Sequence, residues 1–368
     1  MVGLRFWDDG FKTIVIIVYT RPYWRLDQLR KVQKVGYSTL AVSIPKEFAQ
    51  DMRIVPGDTL LFRAEADGTL RLIPATRAKK SSRAIIRAEL VGSEEMLVRL
   101  IVGAYALGYD AIEVAGKEPL NQPTIDLTMK TLKRLMGLEV VDSDRRRIVG
   151  QSFTDPTKFP VDSLIKRLQI LVSQSLEDVV QALDLTQTES LNNVAQVQGE
   201  IDELYWLILR QLLVALNRRE LASEIGIESP LHASGDRVSA KTLDEIGNII
   251  NEMSEELVRL KTRGTVMNPE VTSRVRQLAA KAGDALSTTM ESLLTPDLRL
   301  IETSVSLVDE TLRLEREIID EMLEKGEYGY SRVLVSHFGQ LARYCNIIIE
   351  IASHRLLRKT TRVASIQQ

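Results

Sequence analysis

Near the start of the chain, apolar and polar residues alternate with a period of two over short stretches. Further along they settle into a helical period that runs almost to the end. Residues 30–35 and 39–44 read as strands separated by Gly36. Pro45 suits the first turn of a short helix over 46–52, where its missing N–H costs nothing. Pro56, Gly57 and Asp58 make a turn, and residues 59–63 and 70–73 read as a hairpin around Asp67-Gly68. Strands this few and this short cannot bury an adequate core, so the unit is expected to need a second copy.

A basic linker over 77–83 leads into a stretch of different character. Residues 84–90 and 111–115 read as strands. Ser93 is placed to cap a helix whose apolar face is Leu97, Leu100, Ile101 and Ala104, and Gly108 ends it. A second helix is expected over 124–136, stopped by Gly137. Residues 138–141 and 147–150 then form a hairpin around Asp142, Ser143 and Asp144. This alternation predicts a small α+β sandwich with helices on one face of the sheet.

From Pro160 onward the period is 3.6. Leu164, Leu168, Leu171, Ser175, Val179 and Leu183 share one helix face, and Leu334, Phe338, Leu341, Cys345, Ile348 and Ala352 share another. Between them helices are expected near 188–217, 238–262, 270–294 and 298–325, with breaks at 228–235, Asn268-Pro269, Thr295-Pro296 and Gly326. Lengths and breaks describe a duplicated antiparallel bundle of three helices per repeat. The expected fold is therefore multidomain: an extension over 1–28, a β unit over 29–76, an α+β unit over 84–152 and a helical body over 158–360, its repeats spanning about 158–264 and 268–360.

Charge sharpens this division. The formal net charge of −2 hides ten Lys/Arg against five Asp/Glu in residues 29–80, and 34 against 42 from Ser81 onward. A basic module joined to an acidic body points to an anionic partner at one end only. A single cysteine, Cys345, excludes an internal disulfide framework and suits a reducing cytosol. His232, His337 and His354 lie too far apart in sequence for ordinary zinc-ligand spacing. The apolar run over 13–19 is too short to span a bilayer, and acidic residues precede it without a cleavage site after it, so it reads as an extra strand or an extension. No nucleophile elbow, P-loop or His-Glu metal helix is present, and Gly103, Gly108 and Gly116 do not form a phosphate-cradling loop. No enzyme activity and no cofactor are expected, and Tyr205, Trp206 and Phe338 read as core residues.

The first unit resembles the swapped-hairpin AbrB/SpoVT family of DNA-binding and dimerisation domains. Gly36, the run Val42-Ser43-Ile44-Pro45-Lys46, the run Ile54-Val55-Pro56-Gly57-Asp58 and the closing Leu70-Arg71-Leu72-Ile73-Pro74 carry the likeness. It implies a homodimer in which two chains interleave their strands into one small β-barrel. It also implies that Arg30, Lys31, Lys34, Lys46 and Arg53 face DNA. Such groups gain affinity mainly by releasing counterions from phosphates. Tyr37 stands where bacterial repressors of the family carry Arg after the glycine, and Ala49-Gln50 where they carry an Arg pair, which argues against base-specific reading there.

The helical body resembles the PhoU family of phosphate-uptake regulators, on the segment from Val197 to Ile208 and on Leu243-Asp244-Glu245-Ile246-Gly247-Asn248-Ile249-Ile250. A fainter copy runs through Val308-Asp309-Glu310-Thr311-Leu312-Arg313 and the segment from Leu341 to Ile348. An AbrB-like module ahead of such a body looks like an archaeal phosphate regulator. The family carries paired carboxylates on facing helices that can cage a cation. Here the equivalent positions are Gln198 with Asp202, Asp244 with Asn248, Asp309 with Arg313, and Ala342 with Asn346, so each pair has lost at least one carboxylate. The second repeat is expected to be metal-free, with Arg313 placing a positive charge inside the proposed cage. In the first repeat Asp202, Asp244, Glu200 and Glu203 are the residual candidates for a divalent or iron ion, set against a solvated charged face. The resemblance implies a cytoplasmic dimeric regulator of phosphate uptake that binds DNA and contacts a phosphate transporter or signalling protein, without membrane insertion. The alternatives are an adaptor that never touches DNA and a metal-binding protein.

Overall fold

The computed structural model describes residues 29–64, 68–74, 82–184, 189–264, 268–324 and 330–358. The expected N-terminal extension, Asp67 of the hairpin turn, most of the basic linker and the Gly326 break lie outside the described residues. Two compact units divide the chain, one within residues 15–82 and one holding residues 83–368.

The first unit contains β1 (Gln33–Val35), β2 (Thr39–Ala41), α1 (Lys46–Met52), β3 (Leu60–Ala64) and β4 (Leu70–Pro74). β1 pairs with β2 and β3 with β4, both antiparallel, as two separate two-stranded sheets. Gly36 takes φ +65° in the first turn, a conformation an L side chain rarely adopts. Pro45 stands one position before α1, and its carbonyl accepts from Ala49 N–H. Arg53 ends α1 at φ 54°, its N–H donating to Ala49 and Gln50 carbonyls. The Asp58 carboxylate accepts from Val55 N–H at 2.8 Å and closes the Pro56-Gly57 turn.

The first two strands are shorter than the alternation predicts, and among the described residues the chain does not close a barrel. Burial supplies the reason. None of the described side chains in residues 29–74 is buried, and Leu40, Val42 and Phe62 are 71%, 57% and 61% exposed. Strand alternation is normally fixed by a covered face, and a single chain covers none here.

The second unit opens with β5 (Arg83–Arg87), a single 3-10 turn, α2 (Glu94–Ala106), β6 (Ala111–Ala115), α3 (Gln122–Lys133), β7 (Leu138–Ser143) and β8 (Arg147–Ser152). The sheet order is β5-β6-β8-β7, with β5 parallel to β6 and the other pairs antiparallel. β5 stops at Arg87 rather than running to Leu90, and β7 carries a bulge between Val140 and Asp142. Ser93 Oγ accepts from Met96 N–H and caps α2 as expected. Asn121 caps α3 in the same way, which starts that helix at Gln122 rather than Thr124. Leu97, Ile101 and Tyr105 of α2 are buried with Ile112, Val114, Leu132 and Ile148.

The body follows as α4 (Val161–Gln181), α5 (Leu191–Asn217), a short α6 (Arg219–Glu224), α7 (Pro230–Thr262), α8 (Pro269–Leu294), α9 (Leu298–Glu324) and α10 (Tyr330–Leu357). α4, α5 and α7 pack together, as do α8, α9 and α10, with α7 against α10 joining the sets. One continuous core runs through all six long helices, from Val161 to Ala352. The expected break at 228–235 is mostly helix. Ser229 caps α7 by accepting from His232 N–H, and Pro230 occupies the first helical position, so the dipeptide starts a helix instead of interrupting one. No helix among the described residues is long and apolar enough to cross a membrane.

Candidate functional site

The five basic candidates of the first unit all lie on its surface. Arg30 and Lys31 precede β1, Lys34 is central in β1, Lys46 opens α1 and Arg53 caps it. Each is exposed, as a phosphate-contacting group must be. Tyr37, at the tip of the first turn, is fully exposed as well.

In the body, antiparallel packing of α5 on α7 brings the first-repeat motif positions together, but they do different chemistry from a carboxylate cage. Gln198 Nε2 donates to Asp202 Oδ1 at 2.9 Å and to Asn248 Oδ1 at 3.0 Å, so a side-chain amide bridges the two helices. Gly247 permits this approach, since a Cβ there would come within 2.8 Å of Gln198 Oε1. Each remaining carboxylate already has a cation. Arg134, from the turn after α3, meets Asp202 at 3.2 Å, and Lys241 meets Asp244 at 2.8 Å and Glu245 at 2.6 Å. Partial burial works against the charge of Lys241. Its hydrogen bonds to Asp244 and Glu245 outweigh that and hold the ammonium above the ordinary lysine range. Glu200 and Glu203 are only part-exposed on α5, and among the described residues no three of these four acids reach metal-ligand spacing.

The second-repeat positions separate. Asp309, Arg313 and Asn346 are exposed while Ala342 is buried, so Arg313 sits on the surface and not inside a cage. The neighbouring buried charge is Glu315 on α9. It receives both terminal nitrogens of Arg343 from α10, at 3.2 and 2.7 Å. Gly339 makes room for it, because a Cβ there would run into the Glu315 carboxylate.

Sequence reading missed a cluster where the repeats meet. Asp162, His232 and Asp236 bring ligand atoms within 4.8 Å of one another. The position that a cation would take is held by Arg355 of α10, whose Nη2 pairs with Asp236 and lies 3.5 Å from Asp162 while Nη1 donates to the Leu293 carbonyl at 2.9 Å. His232 Nδ1 accepts from Glu228 N–H, turning Nε2 toward Asp236 at 3.6 Å. Burial raises the Asp236 carboxyl, with Arg355 and His232 acting against that shift. The cluster is a clasp between α4, α7, α8 and α10. Its only early signal was that His232 and Asp236 lie one helical turn apart.

Arg210 was also invisible in sequence. Buried in α5, it donates to the carbonyls of Tyr105 at 2.6 Å and Tyr109 at 3.1 Å, and its guanidinium lies 4.9 Å from the Tyr105 ring centre. Trp206, one turn earlier, packs against both the α/β core and the bundle core, and it also lines a cavity between them.

No curated protein matches the chain. Among solved structures the chain is similar to the crystal structure of PhoU from Pseudomonas aeruginosa, at 18% identity and a TM-score of 0.46, over 54% of this chain and 95% of that one. Residues 33–80 match the family described as antidote-toxin recognition MazE, bacterial antitoxin. The N-terminal unit is thus a strand-rich module of the AbrB/MazE type, carried ahead of a mixed α/β layer and a body of six long helices.

Proposed function

We propose that the chain is a dimeric regulator of phosphate uptake which docks on DNA through its N-terminal module and presents its helical body to a transporter or signalling partner. The observation that carries this reading is the module itself. It is of the AbrB/MazE type, it is net basic, and its apolar side chains are uncovered in one chain. A second copy supplies the missing cover, and pairing doubles the number of cations available to phosphates. Support for the phosphate half comes from the PhoU-like segments at 197–208 and 243–250, which the structure brings together on α5 and α7. No reaction is assigned, and the action is placed in the cytosol.

The test is fluorescence anisotropy with promoter DNA of phosphate-transporter genes across a salt series. The observed binding constant should fall with salt at a slope of about −0.9 per phosphate neutralised. Lys31→Ala or Lys46→Ala should lower that slope by about one per chain while weakening all DNA sequences alike. Absence of a complex at low salt would leave the adaptor reading in its place.

We also read the first-repeat site as metal-free, because Arg134 and Lys241 already neutralise Asp202 and Asp244. Stoichiometric iron, manganese or magnesium in the purified protein, lost in Asp202→Ala with Asp244→Ala, defeats that reading.

A further inference from the structure

Where α2, α3 and α5 meet there is a cavity of about 590 Å³, a size typical of small-molecule sites. Its apolar surface comes from Val98 and Val102 on α2, Leu127 on α3, Leu135 just after it, and Trp206 on α5. The residues of α2 and α3 recur at helical spacing, so each helix turns one stripe inward to its core and a second stripe toward the cavity.

Six charged groups complete the lining, and their signs cancel. Arg99, Lys130 and Arg134 oppose Glu95, Asp202 and Glu203. A balanced lining does not favour a polyanion such as a nucleotide. Four of the six are engaged with each other: Arg99 with Glu95 at 2.8 Å, and Arg134 with Asp202 at 3.2 Å. Lys130 on α3 and Glu203 on α5 make no ion pair or hydrogen bond among the described residues. One uncommitted cation and one uncommitted anion thus lie on different helices around an apolar surface. Partial burial holds the Glu203 carboxyl above the ordinary glutamate range. Glu200 and Asp202 push the same way, and Arg134 against. An ammonium beside Glu203 would offset that penalty.

We propose that this cavity binds an amphipathic zwitterion, an apolar amino acid or short apolar peptide. Its carboxylate meets Lys130, its ammonium meets Glu203, and its apolar body lies against Trp206, Leu127 and Leu135. The site is independent of the phosphate reading. It gives the α/β layer a ligand-sensing role beside Asp202, and through Gln198 that residue is linked to α7.

Calorimetry on the full chain tests it, with leucine, tryptophan and the dipeptide Leu-Leu as probes. At least one should bind saturably, one per chain, and the ranking of free amino acid against dipeptide identifies which source the site prefers. N-acetyl-leucine and leucinamide should each bind at least about ten-fold more weakly than leucine, since each removes one charge. Lys130→Ala and Glu203→Gln should weaken the preferred probe by a similar factor. Gly103→Leu should abolish binding, because a Cβ at Gly103 meets nothing within 4 Å and the added side chain enters open space. Should that variant fail to fold, the two charge variants still decide. The proposal is overturned if no zwitterion saturates below about 10 mM. It is equally overturned if capped forms bind as well as free ones, if AMP or inorganic phosphate binds more tightly, or if both charge variants bind like the wild type.

Discussion

The N-terminal module and the helical body follow opposite rules of construction. In the body, Leu168, Val275, Phe338 and Ile348 have no exposure at all, and charged groups that go inside are matched, as Glu315 is by Arg343. In the module, apolar side chains of comparable size are at the surface and no described side chain is buried. Hydrophobic burial dominates folding, so in the proposed dimer this unit would draw its stability from association. One region buries its core within a single chain. The other, on the reading proposed above, is half of an object.

The contrast is open to direct attack. The largest effect is expected from placing charge on the module's uncovered face. Leu40→Asp combined with Phe62→Asp should raise the dimer dissociation constant at least about a hundred-fold, as loss of central interface anchors does. Sedimentation should then show a monomer whose helical circular dichroism is unchanged. A dimer that survives the double substitution would falsify the view that this face is the contact.

Next comes the body, where damage should appear as lost stability irrespective of protein concentration. Arg343→Ala strands the Glu315 carboxylate in the core and should cost about 2–4 kcal/mol, the lower part of that range reflecting the half-exposed guanidinium. Gly339→Val forces a side chain into the same carboxylate and should cost about 1–3 kcal/mol. Denaturant melts at two protein concentrations separate these variants from the module variants. A concentration-dependent midpoint for Arg343→Ala would blur the distinction between the two regions.

A smaller effect concerns Cys345. Burial pushes its thiol up to about 12. Thiolate is the reactive form, so labelling by a disulfide reagent should be at least about a hundred-fold slower in the native protein than in denaturant. Rapid native labelling would mean that the second bundle opens readily.

The smallest effect is at the β7–β8 turn. The Asp144 carboxylate accepts from the N–H groups of Arg146 and Arg147, and together with the Arg147 guanidinium these hold it below the usual aspartate range. A depressed carboxyl contributes stability above its unfolded value and loses it as pH falls through the folded one. NMR titration should therefore find Asp144 ionised in acid where exposed aspartates are already protonated.

Much of the architecture was legible because helical periodicity and Pro or Gly punctuation are local. α1 and β6 were placed to the residue, and the long helices within a few residues, apart from the start of α7. There, Ser229-Pro230 served as cap and first turn, and the same two residues can equally mark a break. The sequence alternation overruns the ends of β1 and β2 because it presumes a covered face on both strands. The motif positions on α5 and α7 were found from a family likeness, but their chemistry was not. Arg134 reaches Asp202 from 68 residues away, and no local pattern announces such a partner. From its sequence position alone Trp206 reads as core. It is partly that, and it also forms a wall of a cavity that exists because three helices converge.

Arg210 grips two carbonyls at the end of α2, and Gly108 nestles against Val214 without space for a side chain between them. Sheet layer and first bundle are therefore riveted, not tethered. A twist applied to α5 should turn the sheet with it like the arm of a lever, so any joint that lets this second unit flex must be sought elsewhere than at that seam.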